Sequence, residues 1–418
     1  MICLHDARLL TPDGVVEGDL LIGPERIERL ASGPADINLE VGGAWVGPGF
    51  VDLHAHLRQP GYEWKEDIES GSRAAAAGGY TAVVAMPNTD PPIDTGHRAR
   101  FLSEEGRRVG LVEVLPAGAL TLHRQGEALA HLDELWAAGV RLFTDDGDTV
   151  ADAGVLRNAM EYLVELGGVV AQHAEDPGLA RGGHMHEGAV SSRLGMRGIP
   201  ALAEEVVIAR DLALVTLTGV RYHAQHLSTA ASLEQIAHAR RQGLRVTAEV
   251  TPHHLTFDHS QVENLDPNFK MYPPLRTPAD VEALAEGVRQ GMIDAVATDH
   301  APHAAFECEV PFEEAPRGVI GLETAAAAVH TALDLDPVSF FERMSVGPAQ
   351  VAGMGEQGRW LEDGGPAHLV VFDPDAVWIP DHFQSKSENS PFRGMKLRGQ
   401  VQTTIFSGRI TYGIPVTR

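Results

Sequence analysis

The sequence predicts an α/β protein, a TIM-type (β/α)8 barrel flanked by a small β domain built from both chain ends. Three observations carry the prediction. Eight short apolar stretches alternate with segments rich in Ala, Glu, Leu and Arg across residues 49–358. Several of the intervening segments stop at glycines, as helix C-termini commonly do. Outside that span the alternation is lost, and short apolar runs broken by Gly and Pro turns suggest small strands. Residues 1–48 and 359–418 are therefore assigned to the flanking β domain and residues 49–358 to the barrel.

The elements follow in order. The N-terminal segment carries runs such as Asp19-Leu20-Leu21-Ile22. The first barrel strand is Phe50–His54, apolar at Phe50, Val51 and Leu53. The next seven are Thr81–Met86, Leu111–Pro116, Val140–Thr144, Gly168–His173, Arg221–His226, Arg245–Val250 and Ile293–Thr298. Segments of helical length and pattern lie between them, among them Asp67–Ala77, Ala151–Leu166, Ala203–Leu217, Ala230–Gln242 and Pro278–Gln290. Gly78-Gly79, Gly167-Gly168, Gly243 and Gly291 mark four of their ends. From about Trp360, Ala367–Asp373 and Gln400–Tyr412 read again as strands, which pair naturally with the N-terminal ones.

Composition narrows the function. A hydrophobic share of 44% and a charged share of 22% are those of a soluble globular protein, and 418 residues suffice for one large barrel with an appendage. A formal charge of −25 repels polyanions, so nucleic acid and anionic membrane surfaces are not expected partners. The chain lacks a basic leader followed by a long apolar run, and no stretch approaches the ~20 apolar residues that span a bilayer, so a cytoplasmic location is expected. Cys3 and Cys308 form no CxxC pair and build neither a disulfide framework nor a cysteine zinc site. Any bound metal must be held by His and carboxylates.

Barrel enzymes place their chemistry at the C-terminal ends of the strands. His54 and His56 stand two residues apart at the end of the first strand, where both imidazoles leave on one face. The fourth strand runs into Asp145-Asp146-Gly147, the fifth ends at His173, the sixth at His226, and the eighth runs into Asp299-His300. One such residue alone is commonly structural. Five strand ends converging is a different matter, and nitrogen and oxygen donors of this kind suit zinc. Four histidines and two aspartates exceed the needs of one ion, whereas two ions sharing a carboxylate would use them all, an arrangement suited to hydrolysis of an amide-like bond. His5, His97, His123, His131 and His238 fall in loops or helices and read as solvated or satisfied side chains.

His54-Ala55-His56, the single histidines of the fifth and sixth strands and the aspartate of the eighth resemble the amidohydrolase superfamily. Longer runs narrow the resemblance: Pro48–Arg58, Ala85-Met86-Pro87-Asn88-Thr89, Phe143–Gly147, Ala248–Leu255 and Ala297–His303 look like the longer bacterial type of the dihydroorotase family, over nearly the whole chain. The resemblance implies reversible, zinc-dependent interconversion of L-dihydroorotate and N-carbamoyl-L-aspartate in pyrimidine synthesis. By position, His54 and His56 would hold one zinc and His173 and His226 the other, the two ions being bridged by Asp146 and a hydroxide. Asp299 would complete the first site and move the proton. The choice of Asp146 over Asp145 comes from the family pattern. Many relatives bridge with a carboxylated lysine, but Lys65, Lys270, Lys386 and Lys396 are the only lysines and none is near the end of the fourth strand.

The resemblance also implies a small anionic substrate, held at its carboxylate by Arg58, Asn88 and His303, with Tyr272, Arg317 and Gly318 at the ring end. An arginine so placed pairs bidentately with a carboxylate. Two positions depart from the pattern: Tyr272 stands where the family usually has Asn, and Arg317 where Pro-Phe-Gly is usual. A homo-oligomer is expected, with association with an aspartate transcarbamoylase open. The competing readings are another cyclic-amide hydrolase (dihydropyrimidinase, hydantoinase or allantoinase) and a non-catalytic dihydroorotase-like subunit of a transcarbamoylase complex. Lysine bridging and the lack of a ring carboxylate weigh against the first, and the full set of six candidate ligands against the second.

Overall fold

A computed structural model describes residues 1–413. Eight parallel strands form the barrel: β1 (Phe50–Ala55), β2 (Tyr80–Ala85), β3 (Glu113–Pro116), β4 (Leu142–Phe143), β5 (Val169–Gln172), β6 (Arg221–Ala224), β7 (Val246–Val250) and β8 (Ala295–Val296). They pair in chain order as an arc of three and an arc of five. Parallel bridges between Gly118 and Phe143 and between Ala55 and His300 join the arcs and close the ring. The strands are largely buried on both faces because helices cover the outside and side chains fill the inside.

Each strand is followed by a principal helix: α1 (Ile68–Ala77), α2 (Gly96–Val109), α3 (Leu132–Ala137), α4 (Ala153–Leu166), α5 (Leu202–Thr218), α6 (Ala230–Arg241), α7 (Pro278–Arg289) and α8 (Ala325–Leu333). In α4, Leu156, Ala159, Met160 and Leu163 are buried at helical spacing. Its first turn is satisfied by the Asp152 side chain, which accepts from the backbone of Gly154 and Val155, and Gly167 in the left-handed region ends it. Asp67, Thr229 and Thr277 cap α1, α6 and α7 in the same way.

Helices α2, α3 and α8 fill places in the alternation for which the sequence reading set no bounds. In α2 only Gly96, Ala99, Leu102 and Gly106 are buried, so it has too thin an apolar stripe to declare itself. Most of α8 is buried, the Ala325–Ala328 run included, which erases the periodicity instead. The barrel strands keep their places to within a few residues. Expected ladders such as Ile293–Thr298 shorten to Ala295–Val296 because Thr298 turns to donate its N–H and hydroxyl to Asp52.

The two chain ends form one sheet beside the barrel. Trp45–Pro48 lies between Leu369–Trp378, antiparallel to it, and Ile2–Thr11, parallel to it. Leu397–Phe406 and Arg409–Tyr412 extend one side, and Gly14–Ile22 and Ile27–Arg29 the other. Its core is aliphatic, with Leu4, Leu9, Val46 and Val371 fully buried or nearly so. No helix among the described residues is long and apolar enough to cross a membrane.

Candidate metal centre and substrate cavity

The strand ends bring the six candidate ligands together. His54 lies within β1, His173 one residue past β5, His226 two past β6 and Asp299 three past β8. Arg58, His226 and Asp299 hold positive φ angles of 61°, 33° and 46°. Non-glycine residues adopt this region at a cost, and it clusters at sites where the surrounding structure fixes a side chain's aim.

Asp146 sits among the imidazoles: its Oδ1 is 3.2 Å from His54 Nε2, 3.5 Å from His226 Nε2 and 3.8 Å from His173 Nδ1, and its Oδ2 is 3.5 Å from His56 Nε2. Asp299 Oδ1 is 3.0 Å from His56 Nε2 and 3.6 Å from His54 Nε2. His173 Nδ1 lies 3.0 Å from His226 Nε2. Asp145 faces elsewhere, accepting from the backbone N–H groups of Leu120 and Thr121 and from the Thr121 hydroxyl. Of the four lysines, Lys65 pairs with Glu307, Lys386 with Asp67, and Lys270 donates to the carbonyls of Phe312, Glu313 and Ala315.

The donor set fits a cation. His54 Nε2, Asp146 Oδ1 and His173 Nε2 are buried without a hydrogen bond, which is costly unless another partner binds them. Two groups, His54–Asp146–His226 and His54–His56–Asp299, each bring their ligand atoms within 4.8 Å of one another. Burial opposes charge on every member. Even so, the surrounding imidazoles hold the Asp146 and Asp299 carboxyls well below the usual range, and the carboxylates of Asp146, Glu249 and Asp299 hold His54 well above its own. Burial, then the neighbouring His226, pushes His173 down to about 3, the neutral form that donates a lone pair.

Two residues outside the expected ligand set orient the cluster. Glu249 of β7 accepts from His54 Nδ1 at 2.9 Å with one oxygen and pairs with His223 Nε2 at 3.0 Å with the other. Asn88 presents its amide oxygen to His56 Nδ1 at 2.8 Å. Such partners fix the tautomer and the ring plane of a ligand histidine. Only the acidic residue in an otherwise apolar strand end, Ala248-Glu249-Val250, hinted at the first. The Asn88 contact adds an orienting role to a residue expected at the substrate.

Beside the cluster lies a cavity of about 150 Å³ lined by all six expected substrate residues, Arg58, Asn88, Tyr272, His303, Arg317 and Gly318. Arg58 donates through Nε to the Pro302 carbonyl at 3.2 Å, and its Nη atoms make no hydrogen bond among the described residues. His303 Nε2 meets the Arg317 carbonyl at 2.9 Å and Nδ1 meets Lys65 Nζ at 3.3 Å. Gly318 has a φ of 117°, and a Cβ there would lie 2.6 Å from that of Ala301, so neither its conformation nor its packing admits a side chain. The two departures touch each other: the Arg317 guanidinium lies 4.3 Å from the centroid of the Tyr272 ring, which packs at a tilt of 42° against His173 and donates its hydroxyl to Glu175.

Comparison with known proteins agrees with this architecture. Residues 43–232 match a family model described as dihydro-orotase-like. The dihydroorotase of Pelotomaculum thermopropionicum is 46% identical over 378 residues, covering 89% of this chain and 88% of that protein. That of Mycobacterium leprae is 44% identical over 406 residues, covering 94% of each chain. Among solved structures, the L-hydantoinase (dihydropyrimidinase) from Arthrobacter aurescens superimposes with a TM-score of 0.88 over 99% of this chain and 96% of that one. At 24% identity it speaks for the barrel-and-sheet fold alone. Similarity at these levels of identity, running nearly end to end, makes the chain a member of the dihydroorotase family.

Proposed function

We propose that the chain interconverts L-dihydroorotate and N-carbamoyl-L-aspartate in pyrimidine synthesis, as a metal-dependent hydrolase of the cyclic amide. One observation carries the reading: an imidazole–carboxylate cluster and an arginine fork free to bind share a single small cavity. Dihydrouracil, hydantoin and allantoin lack the ring carboxylate that such a fork would bind.

His54, His56 and Asp299 would hold one ion and His173 and His226 the other, with Asp146 between them. We take both ions to be zinc, which suits imidazole and carboxylate donors. When bound, the metal pair supplies an activated water and polarises the scissile carbonyl. The chain's own groups do the rest. Arg58 receives the substrate carboxylate through its Nη atoms, in the bidentate geometry that favours Arg over Lys. Burial lowers its pKa only to about 10, so it stays charged at neutral pH. The Asn88 amide nitrogen and the His303 ring complete that end, and Tyr272, Arg317 and Gly318 wall the ring. Asp299 takes the proton of the attacking water and passes it to the ring nitrogen as the amide bond breaks.

The test offers dihydroorotate, dihydrouracil, hydantoin and allantoin to the zinc-loaded and chelated protein in parallel. Preferential, metal-dependent turnover of dihydroorotate is expected, and preference for any other substrate overturns the reading. Replacing Asp299 by Ala should lower turnover about 10²–10⁴-fold, the range for a lost general base, with most metal retained on mass analysis. A biosynthetic role of this kind implies a cytoplasmic setting. Leu202, Val206 and Leu217, exposed on α5, support a homo-oligomer, which sedimentation would detect. Association with an aspartate transcarbamoylase rests on the resemblance alone.

A further inference from the structure

Between Leu369–Trp378 and Leu397–Phe406 the chain leaves the flanking sheet and runs past the loops that follow the adjacent strands β1 and β8. Residues 384–390 are polar, yet Ser385, Ser387 and Asn389 are only 6%, 3% and 6% exposed. Buried polar groups persist where their hydrogen bonds are made, and these bonds go to two loops. On the loop after β1, the Ser385 hydroxyl donates to Glu66, the Lys386 N–H donates to Glu66 at 3.2 Å, and the Ser387 hydroxyl donates to the Lys65 carbonyl at 2.7 Å. On the loop after β8, Asn389 Oδ1 accepts the His303 N–H at 3.1 Å. Its Nδ2 donates to the Ala301 carbonyl at 3.1 Å and the Gly318 carbonyl at 3.0 Å.

One side chain therefore pins both ends of the loop that carries His303 and Arg317. Residues Ala301–Ala304 have no helix or strand of their own. Behind His303 and Asn389 lies a second cavity, of about 450 Å³, so apolar packing does not back them on that side. The loops so joined are those that bear Arg58 and His303.

We propose that residues 384–389 are a strap that sets the separation of Arg58 and His303, with Asn389 its positioning residue for the substrate carboxylate. The inference rests on the reading of Arg58 and His303 as carboxylate ligands. Asn389 neither touches the imidazole–carboxylate cluster nor lines the cavity itself, but holds the backbone of Ala301, His303 and Gly318, which line it, so the strap governs substrate affinity and leaves the chemical step to the cluster.

The experiment compares wild type, Asn389→Ala and the isosteric Asn389→Asp, whose carboxylate cannot donate to the two carbonyls. Steady-state kinetics with L-dihydroorotate on the zinc-loaded enzyme, bound-zinc stoichiometry and amide hydrogen exchange over residues 301–320 are measured together. KM should rise about tenfold or more, as sub-ångström misplacement of binding groups produces, with kcat within about threefold and zinc content unchanged. Exchange over 301–320 should accelerate. Should Asn389→Ala not fold, Asn389→Asp gives the reading. A KM within about twofold of wild type, or a fall in kcat at constant KM, overturns the proposal. If wild type does not turn over dihydroorotate, the functional reading falls on its own. The strap then stands or falls by exchange, and unaccelerated exchange in Asn389→Asp overturns it.

Discussion

Glu249 has no place in the bond-breaking chemistry, yet it holds two buried imidazoles through opposite oxygens. Glu249→Gln should weaken metal binding about ten- to hundredfold, measured by competition with a chelator, because such outer partners raise ligand basicity and fix ring orientation. Tyr272 and Arg317 make a second residue-scale case. Because the guanidinium lies over the phenol ring, Tyr272→Asn and Arg317→Phe should be non-additive in kcat/KM by about 0.5–3 kcal/mol in a double-mutant cycle. Additive losses would mean that the two departures are independent. The candidate ligands were legible because each falls at or just past a strand end in a short motif. Glu249 was not, since His54 is 195 residues away in the chain. Spacing alone did not separate Asp145 from Asp146; the family pattern pointed to Asp146, and the Thr121 loop is seen to claim Asp145.

Among the elements, strands were legible as short apolar runs and helices wherever one face was apolar and the other wet. That rule fails at both extremes, as α2 and α8 illustrate. It is also silent on how an element fixes its neighbour. The Glu204 carboxylate, in the first turn of α5, accepts from the backbone and hydroxyl groups of Ser228 and Thr229, just beyond His226. Only 3% exposed, it ties α5 to the loop after β6. Glu204→Gln should cost about 1.5–3 kcal/mol in chemical denaturation, the scale of hydrogen bonds to a buried charged group. A loss well below 1 kcal/mol would show that the tie is not needed.

For the whole molecule, the acid limb of stability offers a test. Burial pushes the His368 imidazole in the flanking sheet down to about 4 from 6.5. Folding thus favours its neutral form: the contribution is complete above pH 6.5 and is lost as pH falls towards 4. His186 and His253 are shifted down in the same way by burial. His368→Gln should flatten the decline between pH 6.5 and 4 by about 1–3 kcal/mol, read from denaturation midpoints across that range. A net charge of −25 adds self-repulsion, so the midpoint should rise between about 10 and 150 mM salt as the screening length shrinks from about 30 to 8 Å.

The ring is closed where Ala55 meets His300, and the sheet beside it where Trp45–Pro48 meets Leu369–Trp378. In both places an early stretch of chain waits for a late one. On the ribosome, which adds about 5–20 residues per second, His54 and His56 emerge well before Asp299 exists to join them. Until then β1 has an unpaired edge, a hazard for association between nascent chains. The His54–His56–Asp299 group therefore cannot assemble in any nascent chain that has not yet reached Asp299, 245 residues after His54.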